Sequence, residues 1–101
     1  MKKILLCCAA GMSTSLLVNK MKAAAELKGI EAEIWAEPLE NVNAEITKAD
    51  VVLLGPQVKY ALEDLKPMCV EKGVPIEVIN MVDYGMMNGT KVLEQALTLI
   101  G

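Results

Sequence analysis

The sequence contains no histidine and no phenylalanine, and all ten of its basic residues are lysine. The lack of histidine excludes a Cys-His nucleophilic pair and histidine metal ligands. The lack of arginine excludes a bidentate guanidinium clamp for phosphate. Aromatic residues make up only 3% of the chain, so aliphatic side chains and methionine must fill the core. We therefore expect neither a metal ion nor a cofactor.

Charge and length narrow the class of protein further. A net charge of −3 argues against nucleic-acid binding, which needs a basic surface. No apolar run approaches the ~20 residues of a membrane span, and no signal peptide is recognisable. The 101 residues and 53% hydrophobic content predict one compact domain over residues 1–101. Three cysteines, two of them adjacent, do not suggest a disulfide framework, so we expect a reducing, cytoplasmic location.

Hydrophobic patterning alternates between strand-like and helix-like segments along the whole chain. The predicted strands cover residues 3–7, 31–37, 51–54 and 76–79. The predicted helices cover residues 14–28, 40–48 and 90–100, together with one from about residue 57 that Pro67 kinks or restarts. Residues 80–88 are predicted as a loop. Such alternation predicts an α/β domain with a four-stranded parallel sheet, in the order 2-1-3-4, and helices on both faces.

The stretch that follows the first predicted strand contains the candidate functional residues. It reads Cys8-Ala9-Ala10-Gly11-Met12-Ser13-Thr14-Ser15. Small residues let successive backbone N–H groups converge on an anion, and the start of a helix adds unpaired donors and the positive end of its dipole. The three hydroxyl groups add donors, and any of them can cap the helix. A thiol facing such a loop is expected to favour the thiolate.

Plainer interpretations of the same stretch remain open at this point. A cysteine at the end of an apolar strand is commonly a small buried hydrophobic residue. A Gly-Met-Ser-Thr-Ser loop can be a well-capped helix start and nothing more. Cys7 points to the opposite face by strand alternation, and Cys69 lies in a predicted helix, so we expect both to be buried structural thiols.

The residues from Ile4 to Val18 resemble the phosphorylation loop of IIB subunits of the bacterial sugar phosphotransferase system, in its lactose/cellobiose (chitobiose) family. That family has a Cys-x-x-Gly-Met-Ser-Thr-Ser-Leu-Leu motif, and the resemblance continues through residues 53–58, 76–79 and 84–89. It implies a flavodoxin-like fold, also found in low-molecular-weight tyrosine phosphatases. It further implies that Cys8 carries a phosphoryl group held by residues 9–15. The implied partners are a phosphohistidine IIA donor and a membrane IIC transporter that holds a β-linked sugar.

Residues at the ends of the other predicted strands complete the rim of the site. Gln57 can donate its amide to phosphate or be a solvated first-turn residue. Tyr84 can flank the sulfur, contact a partner or pack under the last helix. We expect Met12, Met86 and Met87, with Gln57 and Tyr84, to form the partner-binding surface, because flexible apolar side chains suit a surface that docks more than one partner.

Three other functions compete with a phosphoryl carrier. A cysteine-dependent phosphatase needs Cys-x5-Arg, which would place arginine at position 14, where this chain has Thr14. A thiol redox module would need Cys-x-x-Cys, and adjacent cysteines form a poor disulfide. A nucleotide-binding module would need a Gly-x-Gly-x-x-Gly or Walker loop, and neither is present.

Overall fold

Four parallel strands form one sheet in the order β2-β1-β3-β4 in the computed structural model, which describes residues 1–8 and 12–101. The strands are β1 (Lys2–Cys8), β2 (Ala32–Pro38), β3 (Val51–Leu54) and β4 (Ile76–Val78). β1 pairs with β2 along its whole length and with β3 over Ile4–Cys7. The predicted parallel sheet and its strand order are therefore confirmed.

The helices alternate with the strands, as the hydrophobic pattern predicts. They are α1 (Met12–Leu27), α2 (Val42–Glu45), α3 (Leu62–Lys72), α4 (Met81–Gly85) and α5 (Gly89–Ile100). Single 3-10 segments flank α2 on both sides (Leu39–Asn41 and Ile46–Lys48), and a longer one (Pro56–Ala61) precedes α3. Every connection between neighbouring parallel strands thus contains helix, as a parallel sheet requires.

The sheet separates two apolar cores, because successive residues of β1 point to opposite faces. Ile4 and Leu6 pack with α1 and α5 on one face, whereas Leu5 and Cys7 pack with α2 and α3 on the other. All four β3 residues are buried, which explains their continuous apolar run. β2, at the edge, keeps most of its residues partly exposed, in agreement with its alternating charged and apolar sequence.

The sequence prediction was wrong about the loop 80–88 and about a restart of α3 at Pro67. The predicted loop 80–88 contains the short helix α4, whose first turn is capped by Asn80 Oδ1, which accepts hydrogen bonds from the backbone N–H groups of Val82 and Asp83. Helix α3 runs through Pro67 without restarting. Pro67 and Glu63 lie on the exposed side of α3, where water can satisfy the carbonyl group that loses its hydrogen bond. The irregular backbone falls earlier, at Val58, with φ −117° and ψ 22°.

Helices α1 and α5 approach each other closely at Gly89. A Cβ atom built there would lie 2.5 Å from the backbone carbonyl carbon of Lys20, so no larger residue fits without moving one helix. The residue before it, Asn88, caps α5 by accepting a hydrogen bond from the Lys91 N–H at 3.1 Å. This contact fixes the start of α5 against the middle of α1.

Within residues 1–8 and 12–101, none of the helices has both the length and the apolar character needed to cross a membrane.

Candidate functional site

Cys8 is the last residue of β1, the strand that lies between β2 and β3. Its partner in the register with β2 is Pro38, the last residue of that strand. On the other side, the Gly55 N–H donates to the Cys7 carbonyl oxygen at 2.8 Å, directly after β3 ends. Cys8 thus lies where the three strands finish together, at the carboxyl edge where open α/β sheets bind ligands. Its side chain is only 1% exposed.

Helix α1 begins at Met12, four positions after Cys8, so its amino end lies close to the end of β1 along the chain. Ala9, Ala10 and Gly11, which were predicted to bind phosphate, lie outside the described residues, as do the side chains of Met12 and Ser13. The helix was predicted to begin at Thr14, with the hydroxyl residues as possible caps. It begins two residues earlier, at Met12, so Ser13, Thr14 and Ser15 lie inside it.

Thr14, Gln57 and Tyr84 come together at this edge although the sequence separates them widely. The Gln57 Nε2 group donates to the Tyr84 hydroxyl at 2.9 Å, and the same hydroxyl lies 3.5 Å from Thr14 Oγ1. Thr14 is 1% exposed, while the side chain of Ser15, the next hydroxyl residue, is exposed. Three of the predicted site residues are therefore joined, through hydrogen bonds that the sequence could not specify.

Of the alternatives predicted for Tyr84, the structure shows the packing against the core under the last helix. The residue is half-buried and packs against the core between the sheet, α1 and α5, and its hydroxyl reaches the polar edge of the sheet. Gln57 is exposed, as a solvated first-turn residue would be, but its amide is engaged by Tyr84.

The methionines of the predicted partner-binding surface differ in exposure. Met86 is 73% exposed, whereas Met87 is half-buried against the core and adopts φ 52°. Met81, at the start of α4, is 66% exposed and so does not fill the core. Val82 is equally exposed, and sequence analysis missed it because α4 was taken for a loop.

Gln95 is a second residue that sequence analysis missed. From α5, its Nε2 group donates to the Val78 carbonyl oxygen at 2.9 Å, and its Oε1 atom accepts from the Asn80 N–H at 3.2 Å. These bonds hold the turn between β4 and α4, and hence the position of Tyr84. A glutamine on the half-exposed side of an amphipathic helix gives no sequence signal for such a role.

The other two thiols are buried in the core on the α2 and α3 side of the sheet, as expected. Burial raises the pKa of the Cys7 thiol to about 12, and the charge of Cys8 adds to the effect. Burial also raises the pKa of Cys69. Both thiols therefore stay protonated at neutral pH and are poor nucleophiles.

Comparisons with known proteins agree with this geometry. The family described as "PTS system, Lactose/Cellobiose specific IIB subunit" matches residues 3–95. The chain is 49% identical over 100 residues to the oligo-beta-mannoside-specific EIIB component of Bacillus subtilis (strain 168), covering 99% of this chain and 97% of that protein. It is 46% identical over 104 residues to the galactose-specific component of Lactococcus lactis subsp. cremoris (strain MG1363), covering 98% of this chain and 96% of that protein.

Solved structures share the fold. The cellobiose-specific IIB component from Borrelia burgdorferi superimposes with a TM-score of 0.81 at 43% identity, covering 98% of this chain and 91% of that one. The lactose-specific IIB domain from Streptococcus pneumoniae superimposes with a TM-score of 0.88 at 20% identity, covering 97% and 96%, which supports the fold alone.

The sheet and these matches define a phosphoryl carrier of the sugar phosphotransferase system, of the IIB type. The chain belongs to the lactose/cellobiose-specific IIB subunit family. Proteins of this family are phosphotransferases that transfer a phosphoryl group to sugar.

Proposed function

We propose that Cys8 accepts a phosphoryl group from a phosphohistidine of IIA and passes it to a β-linked disaccharide during uptake through IIC. The observation that carries the proposal is the position of Cys8 at the end of the central strand, four positions before α1 begins. Cys7 and Cys69 pack into the core on the α2 and α3 side of the sheet. Of the three thiols, Cys8 alone belongs to the edge where the strands end.

The transfer then takes place in two displacement steps. The Cys8 thiolate attacks phosphorus, an S–P bond forms, and the P–N bond to the donor imidazole breaks. A sugar hydroxyl oxygen next attacks the same phosphorus, an O–P bond forms, the S–P bond breaks, and the hydroxyl proton leaves to solvent. The amino end of α1 favours the dianion, and residues 9–15 form the cradle that holds it. Because Cys8 is only 1% exposed, docking of each partner has to uncover the sulfur.

The surface that docks IIA, in this proposal, comprises Met12, Gln57, Tyr84, Met86 and Met87. It extends to Met81 and Val82, which are both 66% exposed and lie on the same short helix as Tyr84. Exposed methionine and valine side chains provide the apolar contact area, and flexible methionines can adapt to IIA and IIC in turn.

The sugar class follows from the relatives. Their names specify cellobiose, galactose and oligo-beta-mannosides. From these names we propose that the sugar phosphorylated through this chain is a disaccharide of the cellobiose, chitobiose or lactose type.

The location follows from the thiols. The three cysteines of the chain are unpaired, which fits a protein that works in the cytoplasm and associates transiently with membrane-embedded IIC. Residues 1–101 act as one phosphocarrier domain.

A cysteine-dependent phosphatase is the competing function on this fold. Such an enzyme stabilises the equatorial oxygens with arginine and uses an acid to protonate the leaving alcohol. This chain has no arginine, and Thr14, at the position that arginine would occupy, is buried. Asp83 is the acid nearest along the chain to Tyr84. The lack of a guanidinium clamp therefore favours storage of the phosphoryl group over hydrolysis.

The proposal is tested by incubating cysteine variants with phosphorylated IIA and following phosphoryl transfer. Cys8→Ser should abolish transfer while circular dichroism stays unchanged, because the serine hydroxyl is a far weaker nucleophile at neutral pH. Cys7→Ala and Cys69→Ala, matched controls at the two buried thiols, should keep transfer near the wild-type rate. Transfer that survives in Cys8→Ser, or that is lost only in Cys69→Ala, contradicts the assignment.

A further inference from the structure

A chain of polar side chains runs from the surface to a buried hydroxyl in the first turn of α1. It begins at exposed Gln57, passes through half-buried Tyr84 and ends at Thr14, which is 1% exposed. The two links measure 2.9 Å and 3.5 Å. Each residue comes from a different part of the fold: the segment after β3, helix α4 and the first turn of α1.

Either hydroxyl can donate across the Thr14–Tyr84 contact, whereas the direction of the Gln57 contact is fixed. The Gln57 amide donates to the Tyr84 oxygen, which leaves the Tyr84 proton available for Thr14 Oγ1. Thr14 then accepts on one side, and its own proton is free to donate elsewhere. Hydrogen bonds linked in this way strengthen one another in a partly buried setting.

The longer of the two contacts, between Tyr84 and Thr14, is the one that a bound ligand can shorten. An O–H···O hydrogen bond is normally about 2.5–3.0 Å long, so 3.5 Å brings Tyr84 and Thr14 within reach but leaves them loosely held. Hydrogen bonds of an empty site are often long and shorten when the charged group arrives. A dianion that draws the Thr14 proton increases the negative charge on Thr14 Oγ1, which makes that oxygen a better acceptor for Tyr84.

The glycine after β3 gives Gln57 the room it needs. A Cβ atom at Gly55 would lie 2.6 Å from Gln57 Oε1 and 3.5 Å from the Cys7 carbonyl oxygen. The Gln57 side chain therefore folds back over the strand end, beside the carbonyl group that precedes Cys8. On the other side, the Asn80 cap and the two Gln95 hydrogen bonds fix the turn that carries Tyr84. Gln57 and the turn that carries Tyr84 are thus both held in place around the Tyr84 hydroxyl.

We propose that Tyr84 is a positioning residue for phosphoryl transfer: supported by Gln57, it sets the orientation of Thr14 and directs the Thr14 hydroxyl proton toward the phosphoryl group on Cys8. This inference rests on the proposed function, because it requires the phosphoryl group to reside on Cys8. Thr14 provides a single oriented donor where a phosphatase would use arginine. One neutral donor stabilises the bound dianion without providing a base that activates water.

The test compares Tyr84→Phe with wild type in rapid-quench transfer from phosphorylated IIA. The substitution keeps the ring that packs on the core and removes only the hydroxyl. The transfer rate constant at saturating donor should fall about tenfold, the size of one weakened hydrogen bond to a charged group. The donor concentration for half-saturation should stay within about twofold. Tyr60→Phe, at a tyrosine that is 69% exposed, is the matched control and should transfer at the wild-type rate.

A double-mutant cycle separates positioning from independent effects. Thr14→Val removes the hydroxyl that Tyr84 directs, so Tyr84→Phe should slow transfer no further in that background. Gln57→Leu, at an exposed position, is the second variant if Tyr84→Phe does not fold, and it should also slow transfer at saturating donor.

Several results would overturn the inference. Independent, multiplicative losses in the double variant would mean that Tyr84 does not act through Thr14. A higher half-saturation concentration with an unchanged rate constant would make Tyr84 a docking residue only. If wild type takes a phosphoryl group on Cys8 and Tyr84→Phe transfers it equally fast, the positioning role of Tyr84 is wrong but the proposed function stands. If wild type takes none on Cys8, the proposed function fails and the positioning role fails with it.

Discussion

Cys7 and Cys8 are neighbours in β1 but lie on opposite faces of the sheet. Strand alternation turns Cys7 into the core beneath α2 and α3, where its pKa rises to about 12. Cys8 ends the strand at the edge where the proposed site residues gather. A difference of one position therefore separates an inert structural thiol from the proposed nucleophile. This separation could be predicted from the sequence, because it depends only on the two-residue period of a strand.

The buried Cys7 thiol predicts a specific loss of stability in alkali. Its pKa is about 12 in the folded chain and 9.0 in its ordinary state, so the unfolded chain loses the proton first as the pH rises. The contribution of Cys7 to stability is complete below pH 9 and declines as the pH rises from about 9 toward 12. At pH 10 the loss amounts to about 1.4 kcal/mol.

Denaturant unfolding at pH 7.5 and pH 10, with reductant present, measures this loss. Cys7→Ala removes the titrating group, so its free energy of unfolding should fall by about 1.4 kcal/mol less than that of wild type between the two pH values. Cys69 remains in both proteins and cancels in the comparison. Equal losses in wild type and Cys7→Ala would show that the Cys7 proton is not held by the fold.

At the scale of single elements, helix α4 joins the core to the proposed docking surface. Tyr84 packs inward, whereas Met81, Val82 and Met86 face outward, each at least 66% exposed. A helix of five residues cannot be stable alone, so the Asn80 cap and the Gln95 hydrogen bonds must hold it. The exposed apolar side chains are thus presented on a short but anchored segment.

Docking of IIA should perturb this helix and the start of α1. On addition of IIA, amide NMR shifts should concentrate at residues 12–16, 57 and 81–87. Met86→Ser should weaken binding by roughly 1–2 kcal/mol, the value of the apolar area lost. Leu27→Ser removes a more exposed apolar side chain, 90% exposed, from the opposite end of α1 and serves as the control that keeps the affinity. Shifts confined to Glu31, Asp50 and Gly73 would contradict this surface.

The missed helix α4 and the absent restart at Pro67 have local physical causes. The α4 segment is short and mostly apolar, with no helical periodicity over five residues, so only the Asn80 cap, with Asp83 three positions later, indicated it. Pro67 lacks the N–H group that bonds backward in a helix, but on an exposed face the missing bond can be replaced by water. Boundaries and short elements were therefore the parts that the sequence could not decide.

At the scale of the whole molecule, the sheet order could be predicted because few topologies satisfy the pattern. Right-handed crossovers and a first strand that is buried from Ile4 to Cys8 leave β1 between β2 and β3. The contacts of the site could not be predicted in the same way. Thr14 and Tyr84 are separated by 70 positions, and Gln57 and Tyr84 by 27, so their hydrogen bonds depend on packing that no local pattern encodes.

The central claim is that the sulfur of Cys8 carries and stores the phosphoryl group, and phosphorus NMR of the native chain tests it most directly. After treatment with phosphorylated IIA, wild type should give a signal of a sulfur–phosphorus bond, and Cys8→Ser should give none. The signal should persist without an acceptor, because an unassisted water attacks slowly and the chain has no arginine to assist it. It should disappear when IIC and sugar are added. A nitrogen–phosphorus or oxygen–phosphorus signal, or immediate release of inorganic phosphate, would contradict the account.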